Sequence, residues 1–551
     1  MIRPEGRRHE RKGWEAALEW SLPLVRQPDY GRPARGMREQ DGPDHPLTHT
    51  HGAGARIPDG SGAVVDIGRG ISDGIADRHG KSVVVVDTVP GVVVCLADER
   101  LAITAADFRG TPIFGPDGTV HFVTDMRPES DDYLQGLVAV DAAGYVKPGW
   151  PVEARPGSQF GSRAVGPDGS LYAEECGGPE AGCVLHRLGT DGRESPGWPF
   201  ALGQVMACSE GYHCLASLNV GSDGVAYLGA TDDGWASVQL AAVDASGNVK
   251  PGWPVSLDLG EPWSVQVQVS PDGSMFVSWW SGLSGVKNVA NLWAIEPDGS
   301  TRSGWPVSVP GVQGVLFGPQ GMVVAWSWVD NEAELCFGPR RTVFTVLGPD
   351  GRTRPGWPRG STGFASIPVV DAAGTVYYVS ETGKVYAHDR SGEIKSGWPV
   401  QVPGALHGGC AGSVGPYLAP DGTILVLGDE VEARSADGSS RPGWPYRPSG
   451  RLQLPCPGSG DTDCFFNHVN PVAGLDGTVY VVVYRETSAG PGLEVVALDS
   501  RGRVKPGWPY RLPIDPASET VDSMTLTPDG RLLVRGGRLL LALDPDGRIS
   551  D

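Results

Sequence analysis

Positive charge is scarce in this chain, long apolar runs are missing, and no short signature of common catalytic machinery stands out in a suitable context. Lys and Arg number 45 against 65 Asp and Glu, and only eight of the cations are Lys; the net charge is −20. A nucleic-acid backbone demands a basic footprint, so no nucleic-acid partner is expected. No stretch reaches 18 apolar residues, so no helical membrane span is expected either. The opening residues 1–10 are charged and the stretch 14–25 is broken by Glu15 and Glu19, so no export signal is visible in the start as written. There is no Cys-Cys dipeptide or CxxCH motif, and no Gly-x-Ser-x-Gly elbow, His-Glu-x-x-His helix or phosphate-cradling glycine loop stands out in a suitable context.

What is abundant is glycine, 80 residues, and proline, 48, without the Gly-X-Y period of collagen. Much of it is repeated. The tripeptide Gly-Trp-Pro recurs eight times, at Trp150, Trp198, Trp253, Trp305, Trp357, Trp398, Trp444 and Trp508, spaced 41 to 64 residues apart with a mean of about 51. That is the period of a four-stranded propeller blade. Glycine permits close backbone approach, proline stops the strand, and the indole can wedge between neighbouring blades, so these eight tryptophans are assigned a structural role.

Each copy has two halves. The first is a hairpin around Asp-Gly or a relative, as in Pro116-Asp117-Gly118-Thr119-Val120 and Leu475-Asp476-Gly477-Thr478-Val479. The second is a strand ending in an Ala-x-Asp-like step, a turn, and a strand into Gly-Trp-Pro. Two hairpins make four strands. There are nine first halves and eight Gly-Trp-Pro signatures; the ninth copy begins near Pro513 and stops at Asp551 without an outer strand. The expectation is an all-β closed propeller over residues 81–551, of nine blades or of eight with one copy displaced. The missing strand is expected from the apolar segment 83–103, because an open array leaves edges unpaired. Residues 1–80 lack the repeat and read as a charged, Gly- and Pro-rich disordered tail, in which His45, His49 and His51 are incidental.

Six of the nine cysteines form close pairs inside non-repeated insertions: Cys176 with Cys183, Cys208 with Cys214, and Cys456 with Cys464. They read as loop disulfides and point to an extracytoplasmic or secreted protein, with buried free thiols or zinc ligation as the other readings. The Asp-Gly turns lack the downstream oxygen ligands that calcium requires, and no metal is expected.

The Ala-x-Asp steps followed by glycine and tryptophan resemble the docking signature of the PQQ-like, or quinoprotein alcohol dehydrogenase-like, β-propeller superfamily, over about residues 85–551. The match departs from the pattern where Pro-Gly or Ser-Gly precedes the tryptophan, as at Pro148-Gly149-Trp150 and Ser396-Gly397-Trp398. The resemblance implies that dehydrogenase members would show a vicinal cysteine pair with calcium-ligating Glu and Asn and a catalytic Asp. No Cys-Cys exists here, so no cofactor is expected and the chain is more like the non-enzymatic binding scaffolds of that superfamily.

In such a ring, functional residues are expected in the loops leading into each inner strand and between the two hairpins, where a repeat needs nothing unusual. Those leading into inner strands are Arg109, Arg163 beside Phe160, His213, Trp263, Phe364, His407, His468 beside Asn467, and Asp522. The connections between hairpins add Trp235, Trp280 beside Trp279, Trp326 and Trp328, with Asp330. Indoles around a polar centre suit sugar rings. The leading expectation is a monomeric, non-catalytic binding scaffold for a glycan or protein; the alternatives are a polysaccharide lyase or hydrolase, and a quinoprotein-type oxidoreductase.

Overall fold

The computed structural model describes residues 108–551 except 126–133, 142–144, 178–181, 208–213, 232–236, 259–263, 281–290, 331–339, 362, 406–414, 453, 455–468, 489, 518, 522, 528–529, 537–538 and 549–551, together with short strands at 56–58, 64–66, 75–76, 82–84 and 96–97. Nine antiparallel sheets follow one another along residues 108–551 and form a nine-bladed propeller. Blade one consists of Phe108–Phe114, Val120–Asp125, Gln135–Val140 and Val152–Glu153, counted from the innermost strand outward. Blades two to six and blade eight repeat that order. In blade seven the fourth strand is reduced to a bridge between Val431 and Tyr446. Blade nine consists of Ser523–Leu526, Leu532–Gly536 and Leu539–Leu543, three strands among the described residues.

Because every sheet is sandwiched between two others, the alternation of side chains along a strand feeds two different interfaces. The second strand of blade eight, Val479–Thr487, shows this: Tyr480 and Val482 pack towards blade nine, whereas Val479, Val481 and Val483 pack towards blade seven. Both sets are buried, which is why these strands read as nearly continuous Val and Tyr runs.

The Asp-Gly turns join first and second strands. In blade one Asp117 accepts the backbone N–H of Thr119 at 3.0 Å, while Gly118 takes φ +81°. The aspartate then meets a cation from the turn or strand across its own blade: Lys147 at Asp117, Arg187 at Asp168, Arg302 at Asp272, Arg441 at Asp421 and Lys505 at Asp476. Burial alone would raise Asp117, but Thr119 and Lys147 outweigh it and hold the carboxyl at about 2. These carboxylates are ion-paired within their own blades.

Each Gly-Trp-Pro tryptophan is only 7–9% exposed and donates its indole N–H to a backbone carbonyl of the following blade. The acceptors are Thr190, Ala245, Pro297, Pro349, Arg390, Ala436, Ser500 and Pro545, at 3.0–3.3 Å. All eight Trp-Pro bonds are cis. The preceding glycines lie against the same turns: a Cβ on Gly252, at φ +86°, would overlap the carbonyl of Asp298.

The ring closes where Leu533 and Ala542 of blade nine pack against Val120, Phe122 and Val138 of blade one. No Gly-Trp-Pro indole belongs to this joint. The expected donor segment 83–103 lies mostly outside the described residues. Two short strands within or beside it, Ser82–Val84 and Leu96–Ala97, pair with each other.

Candidate binding face

The two faces of the ring differ in what connects the strands. One carries the turns between first and second strands and between third and fourth strands, most of them short and closed by internal hydrogen bonds such as Gly115 N–H to Thr119 O and Asp244 N–H to Asn248 O. The other carries the connections between second and third strands and between successive blades. That face also bears two long hairpins: Met322–Asp330 with Arg340–Leu347 in blade five, and Val479–Thr487 with Gly490–Leu498 in blade eight.

A shallow cavity of about 370 Å³ opens on the turn face, lined by Phe114, Pro116, Val165, Pro167, Val220 and their neighbours in blades one to three. No ionisable side chain lines it and its one side-chain hydroxyl is that of Ser222, so it offers shape but no acid or base.

The loop face holds the buried charge. Glu174 and Glu175, adjacent on the second strand of blade two, point to opposite neighbours. Glu175 faces blade one: it accepts the backbone N–H and the Nε of Arg155 at 2.8 and 2.9 Å, and pairs with His186 Nε2 at 2.7 Å. His186 Nδ1 meets Glu194 at 2.7 Å. Burial works against a charged His186, but Glu175 and Glu194 overcome it and lift its pKa to about 9. Burial likewise opposes ionised Glu175, and His186 and Arg155 hold it at about 2.

Glu174 faces blade three. One carboxylate oxygen accepts the backbone N–H groups of Cys214 and Leu215 at 2.6 and 2.7 Å, and the other that of Ser162 at 2.9 Å. A completely buried carboxylate is tolerable on these terms, because three oriented donors replace its water. The same device, with neutral acceptors, recurs where Gln135 takes the N–H of Phe160 and Thr342 takes that of Ala365. These side chains fasten the segment that leads into the next inner strand. Sequence reasoning missed them; the available signal was Glu-Glu inside an otherwise apolar second strand.

Cys176 and Cys183 stand opposite each other at the end of that hairpin and are disulfide-bonded. Cys214 is also in a disulfide. Cys208, Cys456 and Cys464 lie outside the described residues. Glu174, Cys176 and Cys183 bring ligand atoms within 4.8 Å of one another, but the two sulfurs are bonded together, so this group has no thiolate to give a metal.

Of the sequence-assigned ligand residues, His213, Trp235, Trp263, His407, His468 and Asp522 lie outside the described residues. Arg109 is on the first strand of blade one, opposite Val123. Arg163 follows a bulge in the first strand of blade two and is held at about 10 by burial and by the charge of Arg535. Trp280 ends the second strand of blade four opposite Ser264, and Trp328 lies opposite Thr342 in blade five. Trp326 is half-buried and packs with Phe344, Trp357 and Tyr378 in the joint between blades five and six. The strand ladder thus brings Trp326 and Trp328 onto one hairpin, with Trp280 on the neighbouring blade.

No family model matches this chain, and no curated protein matches it. Solved structures do show similarity. A eukaryotic initiation factor matches at 10% identity over 75% of this chain and 89% of that one, with a TM-score of 0.46. Puromycin hydrolase matches at 15% identity over 70% and 59%, with a TM-score of 0.34. BamB from Moraxella catarrhalis matches at 12% identity over 60% and 97%, with a TM-score of 0.30.

Proposed function

We propose that this chain is a non-catalytic, extracytoplasmic binding propeller of PQQ-like type, which takes a glycan or a protein on the face bearing the long connections. The contrast between the two faces carries this reading. The turn face repeats nearly the same short, self-satisfied connections, whereas the loop face varies from blade to blade and presents the hairpins of blades five and eight. The disulfide at Cys176 and Cys183 supports an oxidising compartment. The buried carboxylate Glu174 is engaged by three backbone donors, and Glu175 by Arg155 and His186, so both act in holding joints.

Glycan-array binding followed by product analysis tests the proposal. Binding without turnover is the expected outcome, and new reducing or unsaturated ends would replace it with a lyase or hydrolase. For a glycan ligand, Trp280→Ala or Trp328→Ala should weaken binding by about 1–3 kcal/mol, the scale of aromatic stacking platforms. Unchanged affinity in both variants removes the sugar platform and leaves the protein ligand, to be tested by crosslinking on the same face.

A further inference from the structure

Each of the two joints flanking blade one has a feature of its own, in a ring where blades five and seven set the aliphatic Val324 and Leu425 beside their indoles. At the joint with blade nine, the Gly-Trp-Pro indole that links every other pair of blades is missing. At the joint with blade two, the indole of Trp150 is in place but its companion has changed. Blades two, three, four, six and eight set Tyr172, Tyr227, Phe276, Tyr377 and Tyr480 against their own tryptophans, with centroids 5.4–6.4 Å apart. Blade one sets His121 there, 5.4 Å from Trp150.

His121 is 1% exposed, and neither ring nitrogen has a hydrogen-bond partner among the described residues. The charged groups that reach it are Lys147 and Asp117 of its own blade and Arg163 of blade two. Lys147 is itself bound to Asp117 at 3.1 Å, so the carboxylate is already shared. A neutral imidazole fits this place as a small aromatic ring. An imidazolium would have two buried N–H donors without acceptors and two cations nearby.

We propose that His121 is an acid-sensitive release at the closing region of the ring: a proton taken from solvent expels the imidazole from the joint between blades one and two, and blade one, whose other joint has no Gly-Trp-Pro indole, separates. Burial first, then Lys147 and Arg163 against the pull of Asp117, holds the pKa at about 4, compared with 6.5 for a free imidazole. A depressed histidine leaves the closed ring at full stability above pH 6.5, and that contribution is lost as pH falls from 6.5 towards 4. Between pH 7 and pH 4.5 the opening equilibrium of blade one therefore rises about 50-fold.

Peptide-resolved hydrogen exchange on the full chain tests this, with rates corrected for intrinsic pH dependence. The expected result is an opening that rises about 50-fold at pH 4.5 in the strands of blade one and stays level in blades three, four, seven and eight; blades five and six carry a lowered histidine of their own, His388 against Trp357, and are left out of the comparison. His121→Tyr, which installs the residue found at the equivalent position in four other blades, should abolish the rise; His121→Phe, matching Phe276 of blade four, serves if the tyrosine does not fold. An equal rise in the variant, or a rise spread evenly around the ring, overturns the proposal. So does C2-proton exchange of the His121 imidazole in the unaltered protein with a midpoint near 6.5 rather than about 4.

Discussion

Trp253 offers the sharpest test of how the blades are held together. Its indole is 7% exposed, lies 6.4 Å from the ring of Tyr227 at 71°, and donates to the carbonyl of Pro297 in the next blade at 3.1 Å. Trp253→Phe removes the donor and part of the volume, whereas Trp253→Ala removes the packing as well. A net hydrogen bond contributes about 0.5–1.5 kcal/mol, so the phenylalanine variant should lose about 1–2 kcal/mol once the smaller ring is included. Truncating a buried tryptophan to alanine costs about 3–5 kcal/mol, of which the edge-to-face contact with Tyr227 supplies about 0.5–1.5. Urea titrations read by circular dichroism give the difference if the slope is unchanged, and hydrogen exchange in blades three and four shows where it falls. Equal losses in the two variants would mean that the hydrogen bond, not the packed indole, holds the joint. A loss below about 1 kcal/mol for alanine would refute the wedge altogether. The equivalent change at Trp398, which joins blades six and seven, should add to that at Trp253 within about 0.5 kcal/mol, since the two joints share no partner.

Three further outcomes are expected. Gly252→Ala should be more damaging than its single methyl suggests, because the left-handed conformation costs about 1–2 kcal/mol and the Cβ meets the Asp298 carbonyl; thermal melting measures it. Glu174→Leu should strand the N–H groups of Ser162, Cys214 and Leu215, at about 1–3 kcal/mol each, while Glu174→Gln keeps one acceptor oxygen and loses less; urea midpoints separate them. His186 is raised by its carboxylate partners, so its contribution, about 3 kcal/mol, is complete below pH 6.5 and disappears as pH climbs through about 9; melting temperature against pH should fall over that window in the unaltered protein and flatten in His186→Phe.

The periodic features of the fold were legible in the chain itself. Gly-Trp-Pro marks the end of each third-to-fourth strand turn, and Asp-Gly marks the first hairpin, because both depend on local backbone geometry that few residues satisfy. Nine copies meant nine blades. The inter-blade latches were not legible: Glu174 acquires its meaning only when the backbone of Cys214, 40 residues later, turns towards it. His121 was equally silent, since a histidine in a strand looks ordinary until the five aromatic residues at the same place in other blades are set beside it. Trp326 illustrates the opposite difficulty. By sequence it falls in a connection between hairpins, and the ladder places it within a strand, half-buried in a joint.

In each stapled joint the donor ring belongs to one repeat and the accepting carbonyl to the next, so a single copy carries one half of two identical couplings. Duplicating or deleting a whole copy leaves every coupling intact and shifts only the curvature at which the circle shuts. Copy number can therefore drift during evolution without inventing a new contact, and selection for a particular count falls on the one unstapled joint between the last repeat and the first.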